Sequence, residues 1–517
     1  MELTRRPKSV RFLALFLALM MLALASCSET NKEEKKPDVS QNAAQNAGAN
    51  SQSEDVDPDA LFTKIYDDLP AGFDLDARRV TFLQRSTDRT KDELFVDEMT
   101  GDVVVDAIFQ RELAVEDRLN VKLEAVKDST DNHGNDLLSK VANSVTSADG
   151  AYDVLANSNW TTANTMTTGY YLNLYNVENL NLSKEYWAQY LIENSAVGGS
   201  LFGITGSISL YMYQELFAVY FNRDLCLQYG LPASDVYSTV FEGVWTLDKM
   251  ISMTKDFYSD ANGNGEKDAE DVYGYGLQVS SSTDGYWSSC QIRMVARDED
   301  GYLKRDVDLE KLSNVVEKLQ DFAYKQPGVF RTVEGTGFTD GEYVPNGFAT
   351  DHFLFTNDWI YEAGTANLRE MESDYGIIPY PKYDEAQEQY YSFLHDQFTT
   401  FCIISTVEKP GEIGAVLEAM ASESHNSVIP AYYDVALTNK YARDLDSVRS
   451  LEIIFSNPYL DSGWVYSLNM SSFPQQILRE PIWRGKLNPA TLIARLGPKI
   501  DKTLEKLNDS FEEAAGK

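Results

Sequence analysis

The chain is poor in positive charge, in cysteine and in histidine. Its 517 residues carry 45 Lys and Arg against 80 Asp and Glu, a formal net charge of −35. Phosphate binding needs clustered excess positive charge, so this balance argues against nucleic acid and against an anionic bilayer surface as partners, and any cationic patch would have to be local. The four histidines, His133, His352, His395 and His425, show no His-Glu-x-x-His or related spacing, so transition-metal capture has no ligand set. No Gly-x-Gly-x-x-Gly follows the first strand, and neither Gly-x-Ser-x-Gly nor Gly-x4-Gly-Lys-[Ser/Thr] occurs. Dinucleotide binding, a hydrolase elbow and a P-loop are therefore not indicated. A glycosidase needs only two placed carboxylates, which 80 acids supply by coincidence, so that chemistry stays open.

What is abundant is core-forming surface. A hydrophobic fraction of 43% with 7 Trp, 30 Tyr and 24 Phe builds a large interior. Because single cores stop growing at about 250 to 300 residues, the length predicts two or more lobes.

The N-terminus reads as an address. Arg5, Arg6, Lys8 and Arg11 precede an apolar run from Phe12 to Ala25, too short for a stable membrane span, and residues 1–26 are expected to be a cleaved signal peptide. Leu24-Ala25-Ser26-Cys27 resembles the lipobox of bacterial lipoproteins, in which Cys27 is acylated and becomes the new N-terminus. Residues 27–58 are rich in Asn, Ala, Gln, Ser, Lys, Glu and Asp, too polar to offset their conformational entropy, and read as a flexible tether. The picture is a body held outside a bacterial membrane by lipid. Cys226, Cys290 and Cys402 then remain, an odd number that predicts no disulfide framework, although one pair stays open.

Hydrophobic periodicity predicts a strand at Arg79–Leu83, a helix from Ala107 to Leu119, a strand at Val121–Val126, a helix from Asn135 to Val145 and a strand at Tyr152–Ala156. This βαβαβ order predicts an α/β lobe with a largely parallel sheet. Ligands of such sheets sit beyond the carboxyl ends of the strands, which singles out Arg85, Asn157, Asn159 and Trp160. Further strands are expected at Val272–Val279, Phe353–Phe355 and Tyr375–Tyr380, and helices from Leu247 with Thr246 as cap, from Asp308 to Ala323, from Pro410 to Ala421 and from Ala490 to Lys506.

Four stretches, in order, carry a resemblance. They are the lipobox; Glu215-x6-Asn222-Arg223-Asp224; Phe355-Thr-Asn-Asp-Trp359 followed by Gly376-Ile-Ile-Pro379; and Ser392-Phe-Leu-His395 leading into a strand through Ile404. Together they resemble the extracellular solute-binding proteins of ABC importers, in the branch that includes the maltose-binding protein. The departures are a longer body and insertions around residues 160–210 and 260–300. The resemblance implies a type II periplasmic-binding-protein fold: two α/β lobes, several chain crossovers, and a ligand cleft that closes by hinge motion. It places lobe one at 59–215 plus 397–452 and lobe two at 216–396 plus 453–517, joined by a few crossing segments rather than a large shared core. It also implies a monomer that does no covalent chemistry, captures a solute and delivers it to the transmembrane subunits of a permease.

Within that frame, aromatic faces suit the C–H faces of sugars, and fixed amides and carboxylates bond their hydroxyls. Trp160, Tyr213, Trp287, Trp359, Trp464 and Trp483 are the aromatic candidates, with Trp359 matching a stacking position of the resembled branch. Glu215, Gln278, Asn357, Asp358, His395 and Asp396 are the polar ones. His395 and Asp396, at the next crossover, are expected to face the cleft but not to form a catalytic pair, since neighbours on an extended chain face opposite ways. A carbohydrate, and within that class an oligosaccharide, is the expected solute. A ligand-sensing lipoprotein serving a signalling kinase and a secreted carbohydrate-active enzyme are the alternatives.

One further motif stands apart. Counting Asp260 as the first position, Asn262, Asn264, Asp268 and Asp271 fall at the third, fifth, ninth and twelfth, Glu266 offers its carbonyl at the seventh, and Gly265 supplies the turn. This is the spacing of an EF-hand-type calcium loop, with Asp271 where Glu is usual, and it predicts a structural calcium. An acidic Asx-rich turn without metal is the other reading.

Overall fold

The computed structural model describes residues 63–128, 134–278, 281–332, 343–433 and 444–515. The signal peptide, Cys27 and the whole of the tether lie outside the described residues, as does His133.

The first sheet is the one the periodicity predicts. Strands Arg78–Arg85, Val121–Asp128 and Val154–Ser158 run parallel with Arg78–Arg85 in the middle, and Thr399–Ile403 adds antiparallel to Val154–Ser158. Helices Val103–Leu119 and Asn135–Ser147 make the crossovers. Asp102 caps the former by accepting the Val104 amide at 3.0 Å, and each helix stops at a left-handed residue, Asn120 or Ala148. Both parallel connections thus bring their strands' carboxyl ends to one edge.

The second sheet runs Tyr375–Ile378, Phe217–Asn222, Phe353–Trp359, Val272–Gln278, Tyr258–Ser259, with Val329–Thr332 also paired to Val272–Gln278. Phe353–Trp359 is longer than expected: Asn357, Asp358 and Trp359 belong to the strand and do not follow it, because they pair with Phe217–Val219. The helix Leu247–Thr254 opens on Thr246, whose hydroxyl accepts the Lys249 amide at 3.2 Å. Asp308 does the same for Leu309–Lys325 through Lys311, at 3.0 Å.

Between the sheets the chain crosses at Glu215–Phe217, where an isolated bridge joins Leu216 to Leu394, and returns through His395 to Thr399. The predicted boundary of lobe one at residue 452 needs correction. Helix Leu445–Ser456 packs on the second sheet, where Ser447 Oγ accepts the Ile377 amide at 3.3 Å and lies 2.7 Å from the Tyr237 hydroxyl. The chain has therefore returned to lobe two by Leu445. One buried apolar cluster runs from Leu83, Leu137 and Leu155 of the first lobe to Phe355, Trp464 and Phe511 of the second. The insertion before residue 210 contributes contacts across the lobes: Phe202 packs on Phe511 with ring centroids 5.7 Å apart, and the Ala196 carbonyl accepts from Arg297 at 2.7 Å.

Cys226, Cys290 and Cys402 are all free and buried. Among the described residues no helix is long and apolar enough to cross a membrane.

Candidate functional site

Three crossover and strand-end segments meet at the seam between the lobes. At its centre, Glu215 Oε2 lies 3.2 Å from Nδ1 of His395, whose ring is stacked 6.1 Å from Phe217 and tilted 5.2 Å from Trp359. The Glu215 carboxylate is fully buried and is held by this ion pair. Burial pushes the Glu215 carboxyl up, but His395 and Tyr211 outweigh it and the net shift is down. For His395 burial pushes down, and Glu215 with Asp396 outweighs it, so the imidazole is held above its ordinary value. Nδ1 also lies 3.3 Å from the Gln397 amide, a contact that only an unprotonated nitrogen accepts; the two adjacent carboxylates favour the proton on Nδ1.

Asp396 does approach His395, against expectation, with Oδ1 at 3.5 Å from Nδ1. The chain is not extended here: the Phe398 amide bonds the His395 carbonyl at 3.2 Å, closing a turn that brings both side chains to one side. Ser467 donates to the other Asp396 oxygen at 2.9 Å. Behind them Arg479 Nε bonds Asp284 at 3.1 Å, a buried pair assembled from residues far apart in sequence. Arg85, at the end of the first strand, donates to the Gln397 carbonyl at 2.6 Å and to Thr399 at 3.0 Å, with its guanidinium 5.1 Å from the Tyr211 ring.

Trp359 lies on the second-lobe wall, edge-on to Phe217, and receives Arg89 from the first lobe over its face at 4.3 Å. Arg89 is also 4.9 Å from the Tyr361 ring. Asp358 and Glu362 stand beside it, both raised by burial and by each other's charge in the case of Asp358, with Arg89 opposing.

The remaining candidates divide. Asn157 donates to Gly134 and Thr162, and Asn357 to Ser282 and Tyr380, but the Oδ1 of each is buried with no partner. The same holds for Arg85 Nε and for the indole nitrogens of Trp359, Trp287 and Trp464. Asn159 is spent on the Val465 carbonyl at 3.1 Å, and Gln278 on Ser282 at 2.6 Å. Trp287 and Trp464 pack edge to face, 5.8 Å apart and 0% and 1% exposed, so their rings offer core contacts rather than an open stacking face. Tyr213 turns to a separate surface cleft of about 200 Å³, where its hydroxyl lies 3.2 Å from Ser207. Trp160 is half-buried in the short helix Asn159–Thr162, and Trp483 sits one turn beyond Arg479 with its carbonyl bonded to Tyr324 of the outer helical layer. Sequence reasoning missed Arg89, Tyr361, Glu362, Asp284 and Arg479. The first three follow strand ends and were open to the rule that picked Arg85; the Asp284–Arg479 pairing had no local signal.

In the acidic loop, Asp260 accepts the Gly263 and Gly265 amides at 2.7 and 2.9 Å, and Asp271 accepts the Ala261 amide and the Tyr258 hydroxyl. Asn262 and Asn264 donate to Asp268 while their carbonyl oxygens accept the Asn264 and Glu266 amides. Gly265 has φ +76°, which the turn requires. The donor set is all oxygen, which suits a hard cation. Yet among the described residues no three His, Cys, Asp or Glu side chains converge in an arrangement that could hold a metal ion.

No family model matches the chain, and no curated protein does. Solved structures do. A cyclo/maltodextrin-binding protein complexed with maltotetraose aligns at TM-score 0.53 and 10% identity, over 82% of this chain and 96% of its own. An ABC transporter solute-binding protein from Thermotoga lettingae bound with α-D-tagatose aligns at 0.52 and 13%, over 83% and 100%. The maltose-binding periplasmic protein of Listeria monocytogenes in complex with maltose aligns at 0.52 and 11%, over 83% and 99%. At such identities the likeness concerns the backbone, and it says that this chain has the two-lobed type II fold found in solute-binding proteins of ABC transporters.

Proposed function

We propose that the chain captures a carbohydrate, in the size class of an oligosaccharide, at the seam between its lobes and delivers it to the transmembrane subunits of an ABC permease. The observation that carries this reading is a set of buried, unpartnered polar atoms on the strands that border the seam: Asn157 and Asn357 Oδ1, Arg85 Nε and the Trp359 indole nitrogen. Leaving such groups unsatisfied costs about 1 to 3 kcal/mol each, and a hydroxylated ligand admitted by lobe opening would satisfy donors and acceptors together. The neighbours in fold are binding proteins, several in complex with sugars, which supports capture rather than turnover.

The lipobox and tether support an extracytoplasmic body anchored through lipid on Cys27. Calcium at Asp260, Asn262, Asn264, Glu266, Asp268 and Asp271 belongs to the same reading as a clip on lobe two; its support is ligand spacing and oxygen chemistry, and binding would replace the loop's present hydrogen bonds.

A thermal-shift screen of the purified chain with neutral oligosaccharides tests the capture reading. A ligand at ~100 times its dissociation constant adds about 2.7 kcal/mol, a readily seen rise in melting temperature. Trp359→Ala is expected to abolish that rise. A sugar recovered cleaved, or a screen in which only peptides stabilise the chain, would overturn it.

A further inference from the structure

We propose that Trp359, Tyr361, Asp358 and Glu362 form a subsite for a cationic group on the ligand, the protonated amine of an amino sugar, whose place Arg89 itself takes in this structure. The proposal rests on carbohydrate capture at the seam and narrows the class of sugar.

The geometry of the Arg89 contact is that of a bound cation. Its guanidinium lies 4.3 Å from the Trp359 ring centroid and 4.9 Å from that of Tyr361, both within the range where a ring quadrupole attracts positive charge. Asp358 and Glu362 lie on the same wall; burial raises both carboxyls and Arg89 opposes that rise, so a cation at this place favours their charged forms. Two rings on one cation, with two carboxyls close enough to feel it, are a general recognition chemistry, and here the cation comes from the facing lobe.

Arg89 is built to come and go. Its side chain is exposed, whereas the turn that carries it is locked: the Thr90 and Lys91 amides bond the Thr87 carbonyl at 3.1 and 2.9 Å, and Gln84 Nε2 bonds the Thr90 carbonyl at 3.1 Å. Swinging the side chain out needs only rotamer changes and no backbone rearrangement. Its departure leaves Asp358 and Glu362 without an opposing charge, which a neutral ligand does not restore and an ammonium does. The buried Trp359 indole nitrogen, without an acceptor now, adds a donor for a hydroxyl beside that amine. An anionic sugar would meet Asp358 and Glu362 here, with Glu215 and Asp396 farther along the seam.

Calorimetric titration of the full chain with a glucosamine tetramer and its N-acetylated, neutral counterpart tests this. Both probes share backbone and linkage, so their ratio of affinities reads the charge. The cationic tetramer is expected to bind about tenfold tighter. The ratio rises in Arg89→Ala, which removes the internal competitor, and falls towards one in Glu362→Gln. Melting curves confirm that both variants fold. Equal affinity for the two tetramers overturns the proposal. So does tight binding of an oligouronate that Arg89→Ala abolishes, which would make Arg89 a ligand contact for anions. If maltotetraose binds and no cation does, carbohydrate capture stands and the cationic subsite falls. If spermidine binds, with the same dependence on Arg89 and Glu362, and no sugar does, the subsite stands and carbohydrate capture falls.

Discussion

His395 is surrounded by charge: Glu215 at 3.2 Å, Asp396 at 3.5 Å, and the Arg479–Asp284 pair behind. Its folded value is raised above 6.5, so its stabilising contribution is complete below that and is lost as pH rises through the folded value. The Glu215 carboxyl is lowered below 4.5, so its contribution is complete above that and is lost as pH falls through its folded value. The pair therefore contributes most between 4.5 and 6.5. We expect the gap in melting temperature between the native chain and His395→Gln to be widest in that window and to narrow on the alkaline side. Removing one partner of a buried pair costs about 3 to 5 kcal/mol, so the gap should be large. A constant gap from pH 5 to 9 would mean that His395 acts by packing on Phe217 and Trp359 alone. The cysteines make a second prediction. Burial raises the thiols of Cys226, Cys290 and Cys402, so a thiol reagent should leave all three untouched in the folded chain and modify them after denaturation.

At the scale of elements, caps and close approaches set the segments. Thr246→Ala removes the hydroxyl that accepts the Lys249 amide and should cost about 1 kcal/mol, read from chemical denaturation. Gly206 is more demanding. A Cβ there would stand 2.2 Å from the Tyr186 carbonyl oxygen and 2.8 Å from the Trp187 Cα, both backbone atoms that cannot swing away. Gly206→Ala should destabilise by about 1 to 3 kcal/mol or more; an unchanged midpoint would show that the bridge between Trp187 and Gly206 yields freely. The calcium loop belongs to this scale as well. If calcium clips Asp260 to Asp271, adding a chelator lowers the melting temperature and Asp260→Ala removes the response. The first sheet was legible because its helices and strands each carry a complete local pattern, as in Val103–Leu119 and Val121–Asp128. The end of Phe353–Trp359 was not: Asn357 and Asp358 are poor strand formers, and only pairing with Phe217–Val219 keeps them extended.

For the whole molecule the decisive feature is the shared apolar cluster between lobes. Breaking the Phe202–Phe511 contact with Phe511→Ala should cost about 3 to 5 kcal/mol and lower the melting temperature of one cooperative transition. Two separated transitions would show that the lobes fold independently despite it. The sequence by itself determined the charge, the βαβαβ order of the first sheet and the strand-end positions of Arg85 and Asn157, because each is encoded in local composition or period. Only the tertiary structure decided that Trp287 and Trp464 are core, that Asp284 meets Arg479 and that Arg89 covers Trp359. Those outcomes depend on which residues are brought together, nearly 200 apart for Asp284 and Arg479 as the chain returns to lobe two, and 270 apart for Arg89 and Trp359 where the lobes meet. Periodicity along a chain carries information about the face of one element, and none about the partner that the facing lobe presents.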